Sequence, residues 1–286
     1  MKTLSKPPAW QGPLPAATPP SDMAIYQLPT GSYVTRANFA FKGGSFRDKR
    51  SFAATAILVT HPQGDFLIDA GFGAGIAAHV HAQPWYARSP YQATATASEQ
   101  LDSHGYDRGR LHGVLITHSH WDHVSGLDQL QVPIWTNAGE LRYAAQARDG
   151  TVFRAVSQGH EIHRYEFASA PYLGFPSSYD VHGDGSVVVA LAGGHTTGSV
   201  VVFVTLPAGK RYAFIGDVAW QLEGVRGPAE RPLLMRKLAD VDPGQVREDL
   251  LRVASLAGLM QVVPAHDLTA YKGIPRLAAP ATSPVS

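Results

Sequence analysis

The sequence predicts an α/β protein in which two β-sheets pack face to face with helices on the outside. Short apolar runs alternate with helical patterns along the chain, which is typical of layered α/β folds. The same plan, strands followed by helices, occurs once in each half of the chain without a fixed-period repeat. With 286 residues, 44% of them hydrophobic, the chain is long enough to bury a sizeable core without disulfides.

In the first half, short apolar runs bounded by turn residues predict strands at 52–60, 65–70 and 113–117. The first two form a pair joined by the turn at 61–64. Residues 91–105 favour a helix that ends near a glycine. Asn137, with Glu140 three residues later, has the capping-box pattern and predicts a helix that continues to about Arg148.

The second half repeats this plan. Runs rich in β-branched and aromatic residues predict strands at 186–192, 199–206, 211–215 and 261–264. Before the last of these, Asp242 caps a helix that has Pro243 at its first position and Gly258 after its end. One face of this helix is apolar, as expected for a helix packed on a sheet.

The chain divides into one domain with two irregular ends. Residues 1–22 form a proline-rich arm, which cannot pair as a central strand and is either disordered or draped over a neighbour. The second alternative implies a homodimer through this arm. Residues 23–274 form a single domain, and residues 275–286 form a flexible tail.

The composition excludes several classes of function. The chain has no cysteine, which rules out disulfide scaffolds, cysteine-ligated zinc, iron–sulfur clusters and thiol nucleophiles. A formal net charge of +1 gives no reason to expect nucleic acid or a membrane surface as a partner. No stretch approaches the roughly eighteen apolar residues of a membrane span, and the first twenty or so residues lack the apolar run of a secretory signal. We therefore expect a cytoplasmic protein.

The most informative segment is THSHWDH at 117–123, directly after a predicted strand. Side chains two positions apart on an extended strand end point to the same side, so His118 and His120 can reach one metal ion. Asp122 and His123, just past the turn, can face a second ion. Imidazole and carboxylate ligands at this density suit zinc, iron or manganese.

This segment resembles the HxHxDH signature of the metallo-β-lactamase superfamily, and the likeness extends over most of the chain. Other segments resemble the remaining motifs of the superfamily and follow its order: LIDAG at 67–71, GHTTGS at 194–199, FIGD at 214–217 and PAHD at 264–267. The resemblance implies a four-layer αβ/βα sandwich with the active site at the edges of the sheets. That architecture agrees with the two packed sheets predicted above.

The resemblance also implies the residues that hold metal. One ion would take His118, His120 and His195, the other would take Asp122, His123 and His266, and Asp217 would bridge both. Asp69 would orient a histidine ligand, since a metal-bound imidazole usually donates its other N–H to a carboxylate or carbonyl. The implied cofactors are two divalent ions, with zinc favoured and iron, manganese or cobalt as alternatives. Asp122 and Asp217 are the implied catalytic carboxylates.

Such a metal pair implies a hydrolase that acts on a small-molecule carbonyl compound. Two cations lower the pKa of a shared water toward about 7, so that hydroxide attacks the carbonyl carbon while one metal polarises its oxygen. The spacing of His195, Asp217 and His266 resembles the quorum-quenching lactonase branch, which favours a lactone or ester. Lactonases of that branch carry a tyrosine three residues after the bridging aspartate. This chain has Trp220 there, which leaves acyl-homoserine-lactone specificity open.

Aromatic residues near these motifs predict an apolar substrate pocket. Trp121 lies inside the metal motif and Trp220 follows the bridging aspartate, while Phe72, Trp85 and Tyr86 lie in the segment after the Asp69 strand. Loops at strand ends commonly carry substrate contacts, so a hydrophobic, neutral substrate is expected.

Two other functions stay open at this point. A mononuclear iron oxidoreductase of the same superfamily, similar to a persulfide dioxygenase, would need only a two-histidine, one-carboxylate site. A non-catalytic ligand-binding sensor would keep the ligands but hydrolyse nothing. Metal content and a hydrolysis panel separate these alternatives from a binuclear hydrolase.

Overall fold

A computed structural model describes residues 4–85 and 87–277. In these residues the first sheet has seven strands in the order β4-β1-β2-β3-β5-β6-β7, and the second has five in the order β12-β11-β10-β9-β8. The strands are β1 Ala24–Arg36, β2 Lys49–Thr60, β3 Asp65–Ile68, β4 Tyr91–Ala93, β5 Leu111–Leu115, β6 Ile134–Asn137, β7 Ile162–Tyr165, β8 Ser178–Asp180, β9 Val187–Leu191, β10 Val200–Thr205, β11 Arg211–Phe214 and β12 Gln261–Val263.

Helices cover the outer faces of both sheets. Helices α3 to α6 pack on the first sheet, and α7 and α9 pack on the second. Their bounds are α1 Ala37–Ala40, α2 Ile76–Ala82, α3 Ala97–Ser103, α4 Trp121–Val124, α5 Ala138–Gln146, α6 Thr151–Val156, α7 Leu222–Arg226, α8 Leu233–Ala239 and α9 Pro243–Leu256. None of the helices in the described part of the chain combines the length and the apolar content that a membrane span needs.

The strands of the second sheet are almost continuously apolar because both of their faces are buried. In β10, Val200, Val202 and Val204 face the core between the sheets. Val201 and Phe203 face the opposite core, which α9 covers. A strand buried on both faces needs apolar residues at every position rather than alternation. The four-layer αβ/βα sandwich predicted from the sequence is therefore confirmed.

In the first half the sequence did not predict strands β1, β4, β6 and β7, and it misplaced the start of one helix. Strand β1 was not predicted, because Pro29 and Gly31 interrupt its pattern; the pairing with β2 shifts register between these two residues. The helix predicted over 91–105 was wrong in its first turns. Residues Tyr91–Ala93 instead pair with the edge of β1, and α3 begins only after Thr96, whose side chain accepts a hydrogen bond from the backbone N–H of Glu99.

The described part of the proline-rich arm lies along its own domain. The backbone N–H of Leu4 donates to the carbonyl of Pro228, that of Trp10 to Ser255, and that of Thr18 to Asp184, at 2.8–3.0 Å. The side chains of Leu4 and Trp10 pack against the core under α9. A homodimer through this arm stays a prediction.

The start of the predicted tail is also held. The backbone N–H of Gln27 donates to the carbonyl of Pro275 at 2.8 Å, and Leu277 packs on the core of the first sheet. The remainder of the predicted tail, from residue 278 onwards, lies outside the described residues.

Candidate metal centre

The predicted ligands come from the ends of strands in both sheets. His118 and His120 follow β5, and Asp122 and His123 lie in the first turn of α4, for which His120 is the N-cap residue. The other three residues each follow a strand of the second sheet: His195 after β9, Asp217 after β11 and His266 after β12. These strands end at the same edge of the sandwich, so residues distant in sequence meet there.

The structure brings all the predicted ligand residues together in two clusters. In each cluster the potential ligand atoms lie within 4.8 Å of one another. The first, which we call the three-histidine cluster, consists of His118, His120, His195 and Asp217; the second, the two-histidine cluster, consists of Asp122, His123 and His266.

Asp217 lies between the two clusters and turns one carboxylate oxygen to each. Its Oδ2 is 3.3 Å from Nε2 of His195 and 3.8 Å from Nε2 of His118. Its Oδ1 is 3.1 Å from Nε2 of His266 and 3.3 Å from Nε2 of His123. A carboxylate in this position can supply one oxygen to each of two cations.

The polar atoms at the centre fit metal ions better than they fit one another. Within the described residues, the buried Nε2 of His118 and Oδ1 of Asp217 make no hydrogen bond. Ring nitrogens also face each other, 2.9 Å apart between His120 and His195 and 3.3 Å apart between His123 and His266. Buried polar groups without a suitable partner are rare in native proteins, and an ion is one common reason for them.

Four of the imidazoles have a hydrogen-bond acceptor beside the ring nitrogen that points away from the centre, as metal-ligating histidines usually do. His123 Nδ1 is 2.7 Å from Oδ2 of Asp69, which is where the sequence placed this carboxylate. Sequence reasoning missed the other acceptors, because they come from distant segments without a motif. They are Asp240 Oδ1 for His195 at 3.0 Å, Asp149 Oδ2 for His120 at 3.0 Å, and the carbonyl of Ala53 for His266 at 2.8 Å.

Burial and neighbouring charges set the protonation of the centre. Burial, reinforced by His123 and His120, lowers the pKa of His118 well below its ordinary value, which keeps its imidazole neutral and able to bind a cation. Burial alone would raise the pKa of Asp217, but His266 and His123 hold it well below its usual range. The centre therefore presents an ionised carboxylate between imidazoles.

Trp220 lies against the bridging carboxylate. Its indole Nε1–H donates to Oδ2 of Asp217 at 2.6 Å, and its ring packs edge-on against Phe52 with the guanidinium of Arg231 over one face. The sequence placed Trp220 on the substrate side, away from the metals. The ring is half-buried, and its N–H contacts a predicted metal ligand directly. Contact of Trp220 with substrate stays a prediction.

The other predicted aromatic residues are placed differently from one another. Trp121 is half-buried and packs near Tyr33, whose hydroxyl donates to Oδ2 of Asp122 at 3.0 Å. Phe72 stacks under Trp121 and is 0% exposed, so it supports that ring and offers no surface to a ligand. Trp85 is 80% exposed. The remaining predicted contact, Tyr86, lies outside the described residues.

Three known proteins are similar to this chain in sequence or in fold. A probable metallo-hydrolase of Mycobacterium tuberculosis is 28% identical over 241 residues, which cover 76% of this chain and 75% of that protein. The solved structure of an N-acyl homoserine lactone hydrolase with N-hexanoyl-L-homoserine at its metal centre matches with a TM-score of 0.69 at 15% identity, covering 88% of this chain and 96% of that one. The dizinc quorum-quenching lactonase AidC matches with a TM-score of 0.60 at 14% identity, covering 88% and 90%.

The two solved structures are similar in fold. At the level of sequence, the model of the Metallo-beta-lactamase superfamily matches residues 51–266, a stretch that contains every ligand residue named above. The chain therefore belongs to the metallo-β-lactamase superfamily.

Proposed function

We propose that this chain, a metallo-hydrolase of the superfamily, uses two metal ions to hydrolyse a lactone, an ester or a related carbonyl compound. The observation that carries the proposal is the position of Asp217, which offers one oxygen to each cluster. A mononuclear centre would need only one of these two carboxylate oxygens. The lactone hydrolases among the structural neighbours support this class of substrate, and the half-buried rings of Trp121 and Trp220 favour an apolar one.

The residues of the chain have distinct tasks in this proposal. The three-histidine cluster would hold one ion, the two-histidine cluster the other, and Asp217 would bridge them. Two divalent ions, with zinc favoured, would supply hydroxide at neutral pH and polarise the substrate carbonyl. Burial and the charge of Asp122 raise the pKa of Tyr33 well above its ordinary value, so its hydroxyl stays protonated and keeps donating to Asp122. That hydrogen bond orients the Asp122 carboxylate.

Metal analysis and a substrate panel on one purified sample test the proposal. We expect two divalent ions per chain, and turnover of at least one lactone, ester or thioester. One iron per chain with oxygen consumption would instead support the oxidoreductase alternative. Bound metal without turnover of any member of the panel would support a sensor. The predicted small-molecule partner and cytoplasmic location are part of this proposal.

Substitutions of Trp220 separate the role of its N–H, which reaches Asp217, from the role of its aromatic face. Trp220→Phe keeps an aromatic face but removes the N–H that reaches Asp217, so we expect kcat to fall about tenfold on every substrate, the effect of losing one hydrogen bond to a charged group. Trp220→Ala also removes the face, which should cost about 1–3 kcal/mol of binding for bulky hydrophobic substrates and less for small ones.

The measurement is kcat and kcat/KM on two substrates of different size, together with Tm. Trp220→Tyr serves as the companion variant, because it brings a hydroxyl to this position and should raise lactone turnover relative to aryl-ester turnover. If every variant loses all activities in proportion to its loss of Tm, Trp220 is a structural residue and the pocket assignment is wrong.

A further inference from the structure

Glu140, in the first turn of α5, is a buried carboxylate outside the predicted ligand set. It is 1% exposed, and within residues 4–85 and 87–277 it has no ion-pair partner. Its Oε1 accepts hydrogen bonds from the backbone N–H and the hydroxyl of Ser119 at 2.6 and 2.5 Å, and its Oε2 accepts one from the Thr196 hydroxyl at 2.5 Å. Burial of a carboxylate destabilises the folded protein unless hydrogen bonds satisfy its oxygens. A chain that buries one here therefore gains something from these contacts.

The partners of Glu140 adjoin the ligands of one cluster. Ser119 lies between His118 and His120, and Thr196 directly follows His195. One carboxylate thus joins a loop of the first sheet to a loop of the second, and all three histidines involved belong to the three-histidine cluster.

The two-histidine cluster is supported by a different carboxylate. Asp69 accepts hydrogen bonds from the backbone N–H and hydroxyl of Thr117 at 2.7 and 2.9 Å, and its Oδ2 is 2.7 Å from Nδ1 of His123. Glu140 makes no hydrogen bond to the residues on either side of Asp122, His123 or His266 in the described part of the chain. Asp69 therefore contacts the two-histidine cluster directly and reaches the three-histidine cluster only through Thr117, whose Oγ1 is 3.1 Å from Nδ1 of His118.

Close packing fixes Glu140 against the second of its two loops. A Cβ on Gly198 would lie 2.1 Å from the backbone nitrogen of Glu140, so only glycine permits this approach. The side-chain amide of Asn137 donates to the carbonyl of Gly198 at 2.7 Å, and the Thr197 hydroxyl donates to the carbonyl of Gly139 at 2.9 Å. The start of α5 and the loop after His195 thus form one rigid unit.

We propose that Glu140 is a positioning residue that sets the metal affinity of the three-histidine cluster and leaves that of the two-histidine cluster unchanged. This inference rests on the binuclear function proposed above. Glu140 holds His118, His120 and His195 in place before an ion arrives, so its loss obliges the ion to order both loops as it binds. Loss of such an outer partner of a metal site typically weakens metal binding about ten- to a hundredfold.

The test is a competitive chelator titration of zinc into the metal-free protein. We expect two binding steps in the wild type. In Glu140→Gln, one step should weaken about ten- to a hundredfold while the other keeps its affinity, because the amide replaces an acceptor by a donor that faces other donors. His195→Ala identifies the steps, since it removes a ligand of the three-histidine cluster only. The step that survives in His195→Ala should match the unchanged step of Glu140→Gln.

Two further variants separate positioning from stability. Ala144→Gly weakens the interior of the same helix without contacting either loop, and should lower Tm while both affinities stay unchanged. Thr196→Val removes one of the three hydrogen bonds and should weaken the same step by a smaller factor, which keeps the test available if Glu140→Gln does not fold.

The possible outcomes lead to different conclusions. Equal weakening of both steps in Glu140→Gln, or no change in either, would overturn the role of Glu140 and leave the binuclear function standing. A wild-type protein that binds a single ion would refute the binuclear function and the site selectivity with it.

Discussion

Replacing Asp217 with asparagine should lower kcat by about two orders of magnitude or more, with a much smaller effect on folding. The amide preserves the shape of the side chain but removes the charge between the two clusters. It also offers one acceptor oxygen where the bridging position needs two. We therefore expect the variant to lose at least one metal ion. Metal content after dialysis, measured with kcat on the same sample, checks the prediction.

Asp65→Asn provides a matched control. Asp65 is also a buried carboxylate, but its hydrogen bonds go to Tyr106, Arg110 and the backbone of His61, away from the metal centre. Its loss should lower Tm and leave metal content and kcat of the folded protein unchanged. Near-normal turnover with both ions retained in Asp217→Asn would contradict the bridging role.

Removal of metal with a chelator should abolish hydrolysis and lower Tm by about 5–10 °C, because a ligand that binds only the native state at a hundred or more times its Kd adds roughly 3–4 kcal/mol of stability. Without ions, the ring nitrogens of His120 and His195, and those of His123 and His266, face one another with no cation between them. Thermal melts with and without chelator, followed by restoration with zinc, manganese or iron salts, provide the measurement and rank the metals.

Titration of metal ions back into the metal-free protein also distinguishes the alternative functions. Recovery of activity that requires two equivalents of a divalent ion supports the binuclear hydrolase, whereas recovery with one equivalent of iron supports the oxidoreductase. Identical Tm values for the metal-free and metal-loaded protein would be evidence against a bound metal pair.

The features that the sequence predicted are those encoded within short segments. The runs that form β9 and β10 are apolar at nearly every position because both faces are buried, and the ligands of both clusters lie in motifs at strand ends. These local signals predicted the two packed sheets, and the resemblance of the motifs to the superfamily implied the grouping of His118, Asp217 and His266 at one edge.

The features that the sequence did not predict depend on contacts between distant segments. Asp240 reaches His195 from the end of α8, and Asp149 reaches His120 from the turn after α5, at positions without a recognisable pattern. Glu140 lies in a recognisable capping-box pattern, but that pattern predicted the wrong hydrogen-bond partners for its side chain. Asn137 caps the helix as predicted, while the Glu140 side chain reaches across to Ser119 and Thr196 and does not complete the capping box.

The N-terminal arm has a consequence for how the protein is produced. Leu4 and Trp10 fill positions on the outer surface beside α9, and backbone hydrogen bonds hold the arm along the domain as far as Thr18. A recombinant version trimmed to begin at Met23 would expose the apolar surface that these residues cover, and exposed apolar patches promote aggregation. Expression designs should therefore retain residues 4–22, and a removable tag should be cleaved ahead of Leu4.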